Sequence, residues 1–283
     1  MDVKEELIEK LIELSFAEDI GDGDHTTLSS IPEDAMGENI LIIKEDGVLA
    51  GVEMAKRIFA HFDKELAVEV LINDGAEVKK GDVAMRVSGK VRSLLQTERL
   101  MLNVMQRMSG IATHTAKMTA LLDGSGITLL DTRKTTPNMR LLEKYAVKTG
   151  GGTNHRIGLY DMIMLKDNHI DFAGGVRKAI LGAKEYLAAK GKNIPIECEV
   201  RTLEDIDEVF AAGGVDRIMF DNFSVEMTAE AVKKVAGRCQ TESSGGITLD
   251  TLRDYAATGV DFISVGALTH QIKSLDMSLK ACE

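Results

Sequence analysis

Apolar residues recur at helical spacing from the start of the chain, where Val3, Leu7, Ile8, Leu11 and Ile12 share one face. The spacing predicts an amphipathic helix over residues 1–18, with Asp2 and Glu5 placed as a capping box. The polar stretch EDIGDGDHTT follows and predicts a loop. Its alternating aspartates invite a calcium reading, but no Glu stands at the twelfth loop position, so caps and turns are the better use for them. His25 there stands alone and reads as structural. From Asn39 to Lys90 short apolar runs are broken by Asp-Gly and Lys-Gly steps, the punctuation of tight turns, and VEMAKRIFAHF between them has a helical stripe. This is a small β-rich domain. Next, LLQTERLMLNVMQRMSGIATHTAKMTALL carries a Met-rich stripe through Leu95, Leu102, Met105 and Ile111, a core or interface face on a helix joining two domains. Arg99 projects from that helix.

Beyond residue 126 the pattern repeats. Apolar strands end on polar or glycine residues in ITLLD (to 131), MIMLK (to 166), IECE (to 199), RIMFD (to 221), TESSGG (to 246) and FISVG (to 266). Helical patterns fill the gaps, starting on Thr202, Ser224 and Thr248 and stopping at Gly213, Gly237 and Gly259. Ser or Thr at the start and Gly at the stop are helix caps. Strand–helix alternation makes a parallel sheet, and a right-handed run of such units closes toward a barrel. The repeat has fewer than eight units, so the fold class is α/β with an incomplete, open β/α barrel.

Composition narrows the function. Apolar content of 44% and charged content of 28% describe a folded globular chain. No apolar run is long enough to span a membrane, and the N-terminus lacks the basic start and apolar core of a signal peptide. Cys198, Cys239 and Cys282 are too scattered for a disulfide framework or zinc site, which points to a reducing, cytoplasmic setting. Cys198 lies in a strand run and reads as packing. The net charge is −11, yet residues 131–170 hold seven Lys or Arg against four Asp or Glu. A positive island in an acidic chain attracts a small anion without making the surface sticky to nucleic acid. Lys144 and Lys148 within it read as a solvated helix face. Arg133-Lys134 and His155-Arg156 sit beside Gly, Pro or Thr, outside helical patterns, and read as a site for a substrate with several negative charges.

Active sites of β/α barrels lie at the carboxyl ends of the strands. Those ends carry Arg133, Lys134, Lys166, Glu199, Asp221, Ser244-Gly245-Gly246 and Gly266. The small residues in SSGG and SVGA let backbone N–H groups approach a phosphate between the last two strands. Glu199 and Asp221 end neighbouring strands and suit Mg²⁺ shared with substrate phosphates, or the two hydroxyls of a ribose. Glu197 shares a face with Glu199, and the pattern leaves open which of the two reaches substrate. Thr136 as cap and Pro137 at the first helical position open a helix that pins the Arg133-Lys134 loop. Gly150-Gly151-Gly152 implies that something lies close to the chain there.

The stretch DTRKTTPNMRLLEKYAVKTGGGTNHRIGLYDMIMLKDNHI resembles the signature of the quinolinate phosphoribosyltransferase family. The likeness extends to EDIGDGDHTT, TERLMLNVMQRMSGIAT, ECEV, FDNF, ESSGGI and SVGALTH, nearly the whole chain in order. It implies an N-terminal α/β sandwich domain over residues 1–110, joined by segment 269–283, and a six- to seven-stranded open barrel over 111–268. It implies phosphoribosyl transfer from phosphoribosyl pyrophosphate to quinolinate with decarboxylation, in NAD biosynthesis, with Mg²⁺ bound alongside the sugar. Arg133, Arg156 and His155 are then the holders of the dicarboxylate, since planar forked donors suit it. Lys134 and Lys166 face the pyrophosphate. Glu199 and Asp221 take the ribose hydroxyls or the metal and favour positive charge at the anomeric carbon. Ser244, Gly245, Gly246, Val265, Gly266 and Ala267 cradle the 5-phosphate, and Thr132 completes the TRK match. Arg99 corresponds to a residue lent by a partner subunit, which implies a homodimer with shared sites or a higher oligomer of dimers. Three alternatives compete: a sister family of molybdenum transport, which shares TRKTTP but diverges around Asn154-His155-Arg156, a Schiff-base aldolase using Lys166, and a non-catalytic anion-binding or scaffold protein.

Overall fold

The computed structural model describes residues 3–282, so Asp2 of the expected capping box lies outside the described residues. Its strands, in chain order, are β1 (Met36–Ile43), β2 (Gly47–Val48), β3 (Ala67–Val70), β4 (Glu77–Val78), β5 (Val83–Lys90), β6 (Thr128–Leu130), β7 (Ile163–Leu165), β8 (Ile196–Val200), β9 (Arg217–Asp221), β10 (Gln240–Ser244), β11 (Phe262–Ser264) and β12 (Met277–Ala281). The chain divides into two compact units. The first comprises Met1–Ala116, Thr135–Gly151 and Leu268–Glu283; the second comprises Lys117–Lys134 and Gly152–Ala267.

The first unit holds an antiparallel sheet of order β12-β1-β5-β3 and the small β2–β4 pair. Leu41 and Ile43 on β1 are fully buried, as the alternation of that strand requires. Helix Val52–Phe62 buries Val52, Met54, Ala55, Ile58 and Phe59, an apolar stripe at helical spacing. Truncating Phe59 to Ala costs about 3–5 kcal/mol. The helix read from LLQTERL runs unbroken over Val91–Leu121, so the expected boundary at 110/111 falls inside it. Met101, Met105 and Met108 form its buried stripe, and Ser109 Oγ bonds both the N–H and the carbonyl of Ala50. Near the first unit's start, Asp24 caps helix His25–Ser30 by accepting the Thr27 N–H, the cap role expected for those aspartates.

Residues 135–151, expected in the barrel, cluster with the first unit. Their helix spans Arg140–Thr149 and does not begin at Pro137. Asn138 has φ +64, a left-handed conformation that cannot continue a helix, and 137–139 form a turn instead. Lys148 is exposed as expected, but Lys144 is only 2% exposed, because this helix buries two faces rather than one. Buried Glu143 accepts from Arg107 Nε at 2.7 Å and from the Thr136 N–H at 3.1 Å. The first glycine of the triple has a local reason: a Cβ at Gly150 would overlap the Ala112 carbonyl on the long helix.

In the second unit all six expected strands form, in a wholly parallel sheet of order β6-β11-β10-β9-β8-β7. Among the described residues β6 and β7 do not pair, and the barrel is open there. A single parallel bridge from Leu130 to Thr153 continues the sheet past β6, which reconciles six repeating units with the seven strands the resemblance implies. β8 is buried at every position, as in parallel sheets covered on both faces. Thr202 and Ser224 cap helices Leu203–Ala212 and Val225–Val235 by accepting the Asp205 and Met227 N–H groups. The helix expected from Thr248 is shorter, Leu252–Ala256, because residues 248–251 are held as a turn by the Thr251 hydroxyl. No helix among the described residues is long and apolar enough to cross a membrane.

Candidate active site

The second unit brings its functional side chains to the carboxyl ends of the parallel strands. At the end of β6, Asp131 is fully buried. Its Oδ1 accepts the His155 N–H at 2.8 Å, and its Oδ2 accepts Asn154 Nδ2 at 2.7 Å. One carboxylate therefore ties the Thr132-Arg133-Lys134 loop to the Asn154-His155-Arg156 segment. The family resemblance brought Asn154 forward, but the role of Asp131 had no signal beyond its place at a strand end.

Arg133 and Arg156 are half-buried, and Arg133 Nε is buried without a hydrogen-bond partner. Burial pushes the Arg156 guanidinium below its usual value, and the charge of Arg133 beside it pushes it further. Arg156 Nη1 donates to the Met162 carbonyl at 3.3 Å. Asp161 accepts the Ile157 and Gly158 N–H groups at 2.7 and 3.0 Å, shaping the turn after Arg156. Two cations so placed, one with an unsatisfied buried donor, favour an anion that meets both.

The remaining expected residues fall into two groups. Lys134 is exposed, its N–H donating to Thr132 Oγ1 at 3.1 Å. Lys166 Nζ lies 3.3 Å from Glu199 Oε2, and the Asp167 N–H approaches Glu199 Oε1 at 3.4 Å. Glu199 thus sits at the cationic strand ends, whereas Glu197, two residues earlier, faces the barrel interior with His155. Asp221, half-buried, accepts Asn222 Nδ2 at 2.8 Å and pairs in register with Ser244, which in turn pairs with Ser264. Gly245 has φ +100, and a Cβ there would overlap Asn222 Oδ1, so its lack of a side chain is required by the chain itself. At Gly246, φ +62, a Cβ would meet nothing. The Val265 N–H donates to the Leu130 carbonyl at 3.0 Å, so that amide serves the sheet and not a phosphate. Gly266 and Ala267 are half-buried after β11. Arg99 is exposed on the long helix of the first unit and is not among the residues this unit brings together.

His155, expected against substrate, is buried inside the unit with its side chain 4% exposed. Its Nε2 lies 3.0 Å from Glu197 Oε2 and 3.2 Å from Glu242 Oε2, and both acids are fully buried. Its Nδ1 accepts the Arg156 backbone N–H at 2.7 Å. Burial pushes the ring's pKa down, but the two carboxylates outweigh it and draw it up to about 9. The amide at Nδ1 opposes the second proton, since a doubly protonated ring would set N–H against N–H. Burial and the charge of Glu242 push Glu197 up, while His155 holds Glu242 down against burial. Arg217 Nη1 lies 2.8 Å from Glu242 and 3.8 Å from Glu197. Neither Glu242 nor Arg217 was expected from the sequence; the available signal was a charged residue opening or splitting an otherwise buried parallel strand. Cys198 is buried, with its thiol pushed up to about 12 by burial, and is packing as expected.

An open β/α barrel with paired guanidiniums and adjacent carboxylates at its strand ends defines a class of enzymes that handle small polyanions. Residues 24–109 and 111–280 match the N-terminal and C-terminal domain models of quinolinate phosphoribosyl transferase, and the chain belongs to that family. It is 46% identical over 288 residues to the chloroplastic nicotinate-nucleotide pyrophosphorylase [carboxylating] of Arabidopsis thaliana, covering 96% of this chain and 82% of that one. It is 43% identical over 272 residues to a probable nicotinate-nucleotide pyrophosphorylase [carboxylating] of Bacillus subtilis, covering 96% and 92%. Among solved structures, the nicotinate-nucleotide pyrophosphorylase of Francisella tularensis superposes with a TM-score of 0.91 at 40% identity, covering 98% of this chain and 96% of that chain.

Proposed function

We propose that this protein transfers the phosphoribosyl group of phosphoribosyl pyrophosphate to quinolinate and releases CO₂, giving nicotinate mononucleotide and pyrophosphate for NAD biosynthesis. One observation carries the reading: Arg133 and Arg156 share a half-buried site where Arg133 disfavours the Arg156 charge, and Arg133 Nε lacks an acceptor. Adjacent carboxylates on a planar ring supply acceptors to both at once. Relatives at 43–46% identity named for the carboxylating activity support it, and they disfavour the molybdenum-transport and Schiff-base readings.

The bond between the anomeric carbon and the pyrophosphate oxygen breaks, and the electron pair leaves with pyrophosphate. Lys134 and Lys166 offset that charge. Glu199 and Asp221 favour the positive charge at the sugar carbon and take its hydroxyls. The pyridine nitrogen forms the new bond with its lone pair and becomes cationic. The C–CO₂⁻ bond then breaks, leaving its electron pair on the ring carbon beside that cation, and this carbon takes a proton. No side-chain nucleophile is required; positioning and electrostatics suffice. Ser244, Gly245, Gly246, Gly266 and Ala267 hold the 5-phosphate. The oxygen-only donor set of Glu199 and Asp221 fits Mg²⁺, and these residues would hold it; the ion supplies charge neutralisation on the pyrophosphate.

A homodimer in which the partner subunit's Arg99 completes the dicarboxylate site, alone or within a higher oligomer of dimers, accounts for the exposed place of Arg99 on the long helix. Free thiols at Cys198, Cys239 and Cys282 support a cytoplasmic setting. The test supplies purified protein with quinolinate, phosphoribosyl pyrophosphate and Mg²⁺. One CO₂ and one pyrophosphate per nucleotide are expected. Nucleotide without CO₂, or no nucleotide, overturns the reading. For the dimer, Arg99→Ala mixed with a Lys166→Ala chain is expected to regain activity; inactive hybrids of confirmed composition would refute shared sites.

A further inference from the structure

We infer that Glu197 and Glu242, held by Arg217, form a buried clamp that fixes the tautomer of His155 and thereby positions Arg156. This rests on the reading of Arg156 as a dicarboxylate holder. Two contacts on opposite sides of the His155 ring call for one and the same tautomer. The Arg156 backbone N–H at 2.7 Å needs a lone pair on Nδ1, so the ring's proton belongs on Nε2. Nε2 in turn meets Glu197 and Glu242 at 3.0 and 3.2 Å. It meets them as a forked ionic contact rather than one aligned hydrogen bond, so both acids act together.

The clamp has its own support. Arg217 lies 2.8 Å from Glu242, donates to Gln240 Oε1 at 3.1 Å, and stacks with its guanidinium carbon 3.9 Å from the Phe262 ring centre. It supplies the positive charge that lets two carboxylates share the interior. A metal on the same three residues is the rival reading, since their ligand atoms lie within 4.8 Å of one another. A metal would take the Nε2 lone pair and drive the proton to Nδ1, against the Arg156 amide. The tautomer therefore favours the clamp.

Arg156 needs this restraint because Arg133 repels it. Its backbone is tethered to His155 Nδ1, and the His155 N–H is tethered to Asp131, two residues before Arg133. The clamp thus sets the spacing of the two guanidiniums. Glu197, Glu242 and His155 are positioning residues and do not touch the reacting atoms.

Nitrogen-15 spectra of histidine-labelled wild type, with the His155 signals assigned through their loss in His155→Gln, read the tautomer directly. A proton on Nε2 and a bare Nδ1 are expected; a proton on Nδ1, with or without one on Nε2, overturns the clamp. Glu242→Gln is expected to weaken binding of pyridine-2,3-dicarboxylate by about tenfold, measured by calorimetry. The KM for the sugar pyrophosphate is expected to move by less than about twofold, and Glu242→Asp to recover part of the loss. Equal losses for both substrates mean a general structural role and overturn the inference, as does an unchanged dicarboxylate affinity. If Glu242→Gln does not fold, Glu197→Gln is read by the same criteria. If wild type forms no nucleotide, the enzymatic reading fails by itself, and the spectra and calorimetry still decide the clamp.

Discussion

Burial makes the Arg156 charge costly to hold, and Arg133 beside it adds to that cost, which an anionic ligand meeting both would offset. Arg133→Ala is expected to raise the KM for the dicarboxylate by about tenfold or more while leaving that for the sugar pyrophosphate nearly unchanged; steady-state kinetics with each substrate varied checks this, and equal rises count against the assigned role. Lys166→Ala is expected to lower kcat by about a hundredfold if, as proposed, Lys166 offsets leaving-group charge; near-normal turnover removes it from the site. Asp161 gives a pH prediction. Burial alone would raise its pKa, but the N–H groups of Ile157 and Gly158 outweigh burial and hold it below 3.8. Its contribution to stability is fully present above that value and fades as pH falls through the lower folded one. Asp161→Asn is therefore expected to destabilise the protein by about 1–3 kcal/mol at neutral pH and to flatten the acid side of its stability curve, as denaturant titration across pH would reveal. At this scale the strand-end cations and carboxylates were legible because motifs and positions carry them. The burial of Lys144, Glu242 and Arg217 was not, since what makes a buried charge tolerable is a partner brought from far along the chain.

Punctuation by caps and glycines carries more information about elements than about their limits. Every strand of the parallel sheet was legible, as were the Thr202 and Ser224 caps, because apolar runs bounded by such residues have few other uses. Helix starts near Pro137 and Thr248 were misplaced by three or four residues. In both cases a local turn competes with the first helical turn, through the left-handed Asn138 and the Thr251 hydroxyl. Removing the cap in Thr202→Ala is expected to cost about 1 kcal/mol with no change in either KM; a change in KM would tie this remote helix to the site. Gly245→Ala is expected to cost at least about 1 kcal/mol and to impair sugar-phosphate binding more than dicarboxylate binding, because φ +100 and the Asn222 contact both resist a Cβ. Thermal unfolding beside kinetics separates the two effects.

Charge is distributed unevenly over the whole molecule: net −11, with the basic excess gathered in residues 131–170. Raising ionic strength is expected to lower kcat/KM for both anionic substrates, as screening weakens the local attraction. The chain's division into a β-rich unit and an open barrel was legible in its change of period, and the cut at residue 110 falls where the N- and C-terminal family models meet, although one helix crosses it unbroken. The placement of 135–151 with the first unit was hidden, since a helix between two barrel strands reads as part of the barrel whichever unit it packs in. The proposed function requires a site that demands two carboxylates, and calorimetry tests this most directly, with pyridine-2,3-dicarboxylate and pyridine-3-carboxylate titrated into wild type and Arg133→Ala. The wild type is predicted to bind the diacid at least about tenfold more tightly, with the gap closing in the variant. Equal affinity for the two acids, or a gap untouched by the loss of Arg133, would contradict it.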